Sequence, residues 1–379
     1  MKAGFQHMGS IHIPLRALLE GIGVDVRLGP VPNRKTLELG ARHSPEMVCL
    51  PFKVTLGNMI ECLENGADTL LFIGSGDWSC RFGYYGRVQC SILEKLGYDF
   101  RPLFINRADL GSIKTEILRL NDGNYSKLVP RAFKSFVTAV YKSRITERIQ
   151  WWARKMRPVE RHDGDSDRAE QLLMKEVCAA NTLSSLFGML KRVNREFSSI
   201  KTDNQTNPLR VLIVGESYCV VEPLVNFNII EYLGHSGVHV EPFLTSHKWL
   251  LGHALRIDTS KQLKKKKAIK LAKPLWAEGT GGEDQVSIGH AINARKMGFD
   301  GIIHLMPFGC MPETAALPVF ESISKDKEIP LLNISLDEHS AQAGVCTRLE
   351  AFIDMLQQQR QFRNRTGEGK KNRAVLSGS

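Results

Sequence analysis

The chain lacks a long apolar run. None of its 379 residues belongs to a stretch approaching the ~18 apolar residues that a bilayer span requires, so no membrane association is expected. Ala3-Gly4-Phe5-Gln6-His7-Met8-Gly9 is too short and polar for a signal-peptide core, and cytoplasmic residence is the expectation. The eight cysteines contain no Cys-x-x-Cys pair, which removes the strong zinc pattern. In a large cytosolic chain they read as thiols or metal ligands rather than as a disulfide framework. GxGxxG after a strand and GK[ST] are both missing, so there is neither a dinucleotide fingerprint nor a Walker loop. No recognition motif accompanies the formal net charge of +11. The basic excess is local, with seven lysines from Lys261 to Lys273 and a basic tail from Arg360 to Arg373. Nucleic acid is therefore not an expected partner, and the local basic segments leave attraction to another anionic partner physically open.

What is present is a globular composition, 42% hydrophobic and 24% charged, in a chain long enough for two domains. Strand and helix patterns alternate through residues 1–108, which predicts a largely parallel sheet covered on both faces. Residues 30–42 read as a polar connection. Residues 109–205 show helical spacing, at 132–155 and 168–197, and no convincing strand. A second α/β unit is expected at 206–359, with strands near 210–215, 238–244 and 330–336 and a last helix over 344–358. Residues 360–379 have the composition of a disordered tail.

Three corners stand out. Gly301-Ile302-Ile303-His304-Leu305-Met306-Pro307 predicts a core strand, and it stops in Phe308-Gly309-Cys310-Met311-Pro312-Glu313. Cys310 should then sit at the carboxyl end of a strand, where α/β sheets place their sites. Cys49 occupies a similar corner in Val48-Cys49-Leu50-Pro51-Phe52-Lys53. Cys80 closes Gly74-Ser75-Gly76-Asp77-Trp78-Ser79-Cys80 after the strand 69–73. Cys62, Cys90 and Cys178 fall inside helical patterns and read as core residues. Three dispersed thiolates can hold zinc or an iron–sulfur cluster, and soft ligands on separate loops suit a [4Fe–4S] cluster better. Cys219 and Cys346 are both candidates for a fourth ligand. Glu278-Gly279-Thr280-Gly281-Gly282 is a glycine-rich approach to a helix that either offers amides to phosphate or is a plain loop. Glu313 and His339 are candidates for proton transfer, the latter beside Asp337 and Glu338. The acidic run 163–167 lacks the spacing of a calcium loop and reads as a solvated loop with a helix cap.

Four motifs together resemble a known family. They are Cys49-Leu50-Pro51-Phe52-Lys53 with Gly57-Asn58, then Cys80-Arg81-Phe82-Gly83-Tyr84-Tyr85, then Pro307 to Glu313, and finally Asp337-Glu338-His339-Ser340 with Ala343-Gly344 and Thr347 to Phe352. The chain resembles the D-component-like proteins of 2-hydroxyacyl-CoA dehydratases, and especially the acyl-CoA dehydratase activase-related (CoA protein activase) proteins. The resemblance implies two Rossmann-like, flavodoxin-like domains with a helical insertion, and a [4Fe–4S] cluster between them on Cys49, Cys80 and Cys310. It implies an ATP-dependent activase as electron donor, a related dehydratase subunit in an oligomer, and an acyl-CoA substrate. Lys53 and Arg81, next to the ligands, are expected to stabilise negative charge on cluster or substrate. The alternative from a different class is a non-enzymatic scaffold or regulatory protein of the same fold, holding zinc or no metal.

Overall fold

Short runs of branched apolar residues, each followed by helix-period sequence, build two parallel sheets in the computed structural model, which describes residues 1–73, 81–105, 125–180, 182–203, 207–252, 257–260 and 263–365. The first sheet contains β1 (Lys2–Phe5), β2 (Asp25–Val26), β3 (Thr69–Ile73) and β4 (Arg101–Ile105), in the order β2-β1-β3-β4. All of its pairings are parallel. Helices α1 (His12–Gly21), α3 (Leu50–Glu64) and α4 (Phe82–Lys95) carry the chain between these strands. Phe5, Leu70, Leu71 and Phe72 are buried on the sheet, and each such side chain contributes about 1.5–3 kcal/mol when removed from water.

The polar connection expected at 30–42 contains a helix, α2 (Arg34–His43). Asn33 starts it: its side chain accepts from the amides of Lys35 and Thr36, while the Thr36 hydroxyl oxygen accepts from the Asn33 amide, a reciprocal cap. Its buried stripe is only Thr36 and Gly40, too narrow to register as apolar periodicity. Glycine is what permits the contact with α3. A Cβ on Gly40 would lie 1.7 Å from the Lys53 carbonyl oxygen, and one on Gly57 would lie 2.0 Å from that of Thr36. The two backbones therefore touch.

The middle of the chain is helical as expected. α5 (Tyr125–Met156) packs against α6 (Asp165–Ala179), α7 (Leu183–Phe187) and α8 (Met189–Ser198). Ile145, Ile149, Leu173, Val177, Val193 and Phe197 form their common core. The single helix expected over 168–197 is instead three, with Thr182 capping the second by accepting from the Ser185 amide.

The second sheet repeats the first. β5 (Leu209–Gly215), β6 (Val238–Pro242), β7 (Gly301–Pro307) and β8 (Leu331–Leu336) run parallel in the order β6-β5-β7-β8. Between β5 and β6 lie α9 (Ser217–Val221) and α10 (Ile229–His235). α11 (Ser246–Leu250), α12 (Lys265–Ala272) and α13 (Asp284–Asn293) precede β7, and α14 (Met311–Asp326) precedes β8. The lysine-rich segment is thus partly a surface helix that buries Ala268 and Ala272. The last helix, α15 (Gln342–Arg365), runs past the expected end at 358. Arg360 holds it, donating to the carbonyls of Asn207 and Pro208 and pairing with Asp300, so the first six residues of the expected tail are helical.

The two sheets, consistent with two Rossmann-like units, present their carboxyl edges to each other. Gly9, just past β1, donates its amide to Glu222 at 2.7 Å, and Ser10 donates to the Ser246 hydroxyl at 3.1 Å. Met8, Ile11, Leu50 and Val54 join the apolar core of the second sheet. In each sheet the order reverses between its two central strands, which is where open α/β sheets form a crevice.

Candidate metal centre

Cys49 and Cys310 have the same local setting. Each is the N-cap residue of a helix, α3 and α14, with extended backbone (φ −72°, ψ 157° and φ −73°, ψ 116°). Each is followed two residues later by a proline, Pro51 or Pro312, which fits the first turn because its missing N–H would have no partner there. Both sulfurs therefore sit at the positive end of a helix. Just ahead of each, one residue takes a left-handed conformation, Met47 at φ 60° and Gly309 at φ 72°. The Arg81 guanidinium joins the corners, donating to the Gly309 carbonyl and, at 3.4 Å, to that of Met47.

A third thiol belongs to this neighbourhood. Gly215 ends β5 at φ +127°, and a Cβ there would lie 1.9 Å from the Leu305 carbonyl of β7, so only glycine lets the chain turn this tightly against β7. The turn delivers Glu216 and then Cys219 on α9. The Cys219 amide donates to Glu216 at 2.9 Å, and its thiol, fully buried, lies in electrostatic range of Cys310 and Cys49.

Helix N-termini ordinarily depress thiol pKa values, yet burial wins here. Burial pushes the Cys49 thiol up to about 11, with the Tyr85 hydroxyl contact lowering it and the Glu216 carboxylate raising it. Burial, then Glu216 and Glu313, hold Cys310 well above the ordinary thiol range. Cys219 is raised by burial, by Glu216 and by the two other sulfurs. Glu216 is itself raised by burial, against the amides of Tyr218 and Cys219. Four groups that are anionic when ionised thus share one low-dielectric corner. A positively charged centre would relieve all four.

Behind Cys310 lie a buried imidazole and carboxylate with a half-buried amide. His304, on β7, meets Glu313 of α14 at 2.7 Å through Nε2 and Asn333 of β8 at 3.0 Å through Nδ1, with its ring stacked on Phe320. His304 and Glu313 are 0% and 2% exposed. The imidazole thus has a hydrogen-bond partner at each ring nitrogen, a carboxylate at one and an amide oxygen at the other. Lys53, buried on α3, pairs with Glu338 in the turn after β8. Burial raises Glu338, but the Lys53 bond and charge outweigh it and hold the carboxyl below its usual range.

Of the residues expected from sequence, Cys49, Cys310, Arg81, Lys53 and Glu313 lie at this junction, while Cys80 lies outside the described residues. His339 is exposed, its amide tied to Asp337 in a turn. The histidine buried beside this corner is His304, which sequence reasoning missed; its signal was a lone imidazole in an otherwise apolar strand, nine residues before Glu313. Cys346 lies on α15 beside Tyr232. The glycine-rich approach to α13 is occupied internally, because the Thr280 amide and hydroxyl and the Trp276 indole all donate to Asp284.

Among the described residues, the set of three ligand atoms within 4.8 Å of one another is Asp167, Glu231 and His235. Arg157 already pairs with Asp167, and His235 bonds it at 2.8 Å, so that cluster is satisfied as it stands. The Cys49, Cys219 and Cys310 sulfurs are not such a set. Sulfurs around one tetrahedral zinc stand about 3.8 Å apart, given a Zn–S bond of about 2.3 Å. Corner ligands of a cubane stand about 7 Å apart. Cys49 and Cys310 are soft donors of the kind that both zinc and iron–sulfur groups take. No family model matches the chain, and a search of curated proteins returns no match.

Proposed function

We propose that this protein is a [4Fe–4S] electron-transfer protein of the 2-hydroxyacyl-CoA dehydratase/activase type. One observation carries the reading: Cys49 and Cys310, 261 positions apart in sequence, cap two helices at facing sheet edges and are bridged by one arginine. Lys53, Arg81, Gly309 and Glu338, which belong to the resembling motifs, are tied together by hydrogen bonds at the same corner.

When bound, the cluster supplies one-electron transfer at low potential. Cys49 and Cys310, with the sequence-expected Cys80, hold it. The first-turn amides of α3 and α14 and the Arg81 guanidinium place positive charge where reduction adds negative charge. Leu50, Phe52 and Met306 exclude water around it. Lys53, paired with Glu338, ties α3 to the end of β8. The His304–Glu313 pair lies buried behind Cys310, an imidazole and a carboxylate in hydrogen-bond contact beside the same corner. An ATP-dependent activase would supply the electron, and a related subunit or an acyl-CoA would receive it.

Anaerobic purification followed by iron and sulfide analysis and EPR tests the reading. About four irons and four sulfides per chain are expected, with both lost in Cys49→Ser and Cys310→Ser. A colourless protein carrying one zinc ion would instead favour a structural or regulatory role.

A further inference from the structure

The turn that leaves β1 carries two histidines for which the iron–sulfur reading has no use. We infer that His7 and His12 are the imidazole ligands of one divalent transition-metal ion, at a site that involves none of the cysteines. His7 follows the end of β1 at Phe5, and His12 opens α1. Their ring centroids are 4.8 Å apart, with the planes inclined at 56°. Two imidazoles bound to one ion through nitrogens at about 2.1 Å have centroids roughly 4.5–5.3 Å apart, over bond angles from octahedral to tetrahedral. The observed separation falls inside that range.

Each ring commits one nitrogen to a backbone carbonyl: His7 Nε2 lies 3.3 Å from the Gly29 oxygen, and His12 Nδ1 lies 3.0 Å from that of Gly9. A carbonyl oxygen only accepts, so these nitrogens carry the protons, and His7 Nδ1 and His12 Nε2 keep bare lone pairs. Metal-binding histidines are held in the same way, the second ring N–H fixing tautomer and orientation. Asn58 steadies the backbone under the first ring, its carboxamide oxygen accepting from the His7 amide at 3.2 Å. His7 is 3% exposed, and its Nδ1 is buried without a partner, as is Oε1 of the preceding Gln6. Acceptors left unmet in an interior call for an ion or an ordered water. Burial, helped by repulsion from His12 and opposed by the Gly29 bond, lowers His7 to about 4. Burial lowers His12 as well, the Gly9 bond opposing it and Arg16 adding to it. Both rings are therefore neutral near neutral pH, the state that binds metal. Neutral imidazoles select zinc, nickel or copper over calcium or magnesium. An ion there braces the turn whose Gly9 and Ser10 amides tie the first half to Glu222 and Ser246 of the second.

The test adds zinc chloride to the full chain, isolated without oxygen, as wild type, His12→Asn and His7→Gln. Asn offers an amide N–H close to the place of Nδ1 and Gln close to that of Nε2, so each variant keeps a donor for its carbonyl and loses the free lone pair. His12 is only half-buried, so His12→Asn tests the site even if His7→Gln fails to fold. Zinc-soaked crystals, with diffraction collected on both sides of the zinc absorption edge, should show a peak about 2.1 Å from His7 Nδ1 and His12 Nε2. In solution the wild type should bind one zinc more per chain than either variant, and zinc should raise its thermal midpoint further than theirs. A water between the rings where zinc was expected, zinc confined to cysteine sulfurs, or equal zinc in wild type and His12→Asn would overturn the inference. None of these outcomes bears on iron at Cys49 and Cys310, so the two readings stand or fall separately.

Discussion

At the residue scale, the carboxyl edges are populated by acids and thiols whose charge is set by burial rather than by type. His304 and Glu313 satisfy each other in a dry interior, so removing one strands the other. Glu313→Ala should cost about 3 kcal/mol in urea unfolding, whereas Glu313→Gln, which keeps an acceptor for Nε2, should cost about 1 kcal/mol. Glu222 gives a pH signature. Burial pushes its carboxyl up to about 7, with the Gly9 and Leu224 amides offsetting only part of this. A raised acid binds its proton more tightly in the folded chain, so its contribution is full below the unfolded value near 4.3 and lost as pH rises through about 7. Glu222→Gln should remove that decline, gaining up to ~3 kcal/mol over wild type at pH 8 and little at pH 4 in matched urea titrations. Cys49 and Cys310 were legible in sequence because a cysteine between a turn and a proline has few core explanations. His304 was not, because a single polar residue in an apolar strand shows its role only once Glu313 and Asn333 are seen beside it.

At the element scale, the strands and their flanking helices follow from apolar period alone, and 69–73 agrees residue for residue with the observed β3. Where the period is weak, local chemistry decides. α2 forms on the Asn33 cap and on backbone contact, neither of which leaves an apolar stripe. Between α9 and α10 the chain passes through Phe227 and Asn228 in left-handed conformations that no hydrophobic pattern announces. The Gly40–Gly57 crossing sets how closely α2 lies on α3, the helix whose first turn carries Cys49. Gly40→Ala should therefore lower stability by about 2 kcal/mol or more, read as a lower urea midpoint, because the Lys53 carbonyl cannot move without α3.

At the scale of the whole molecule, the two halves share strand order and direction, and both present a crevice to the same junction. Their apposition combines buried apolar contact through Met8, Ile11, Leu50 and Val54 with a few polar ties: Gly9 to Glu222, Ser10 to Ser246, Lys53 to Glu338, and Arg81 across the two corners. Glu338→Gln should leave the Lys53 ammonium buried without its anion and cost about 2 kcal/mol. The pH sense is opposite to that of Glu222. The Glu338 carboxyl is held below its ordinary range, so its stabilisation is present above the unfolded value and fades as pH falls through the folded one. The variant should lack that acid-side loss. That the chain would form two α/β halves was legible from alternation, whereas their meeting edge to edge was not, because the ties are single side chains far apart in sequence. The central claim is that sulfurs from both halves hold iron at this junction, and crystals grown without oxygen from freshly isolated protein, with diffraction collected on both sides of the iron absorption edge, test it most directly. The account predicts an iron anomalous peak between the amino ends of α3 and α14, within bonding reach of Cys49 and Cys310; iron absent from that position, or found instead at Asp167, Glu231 and His235, would contradict it.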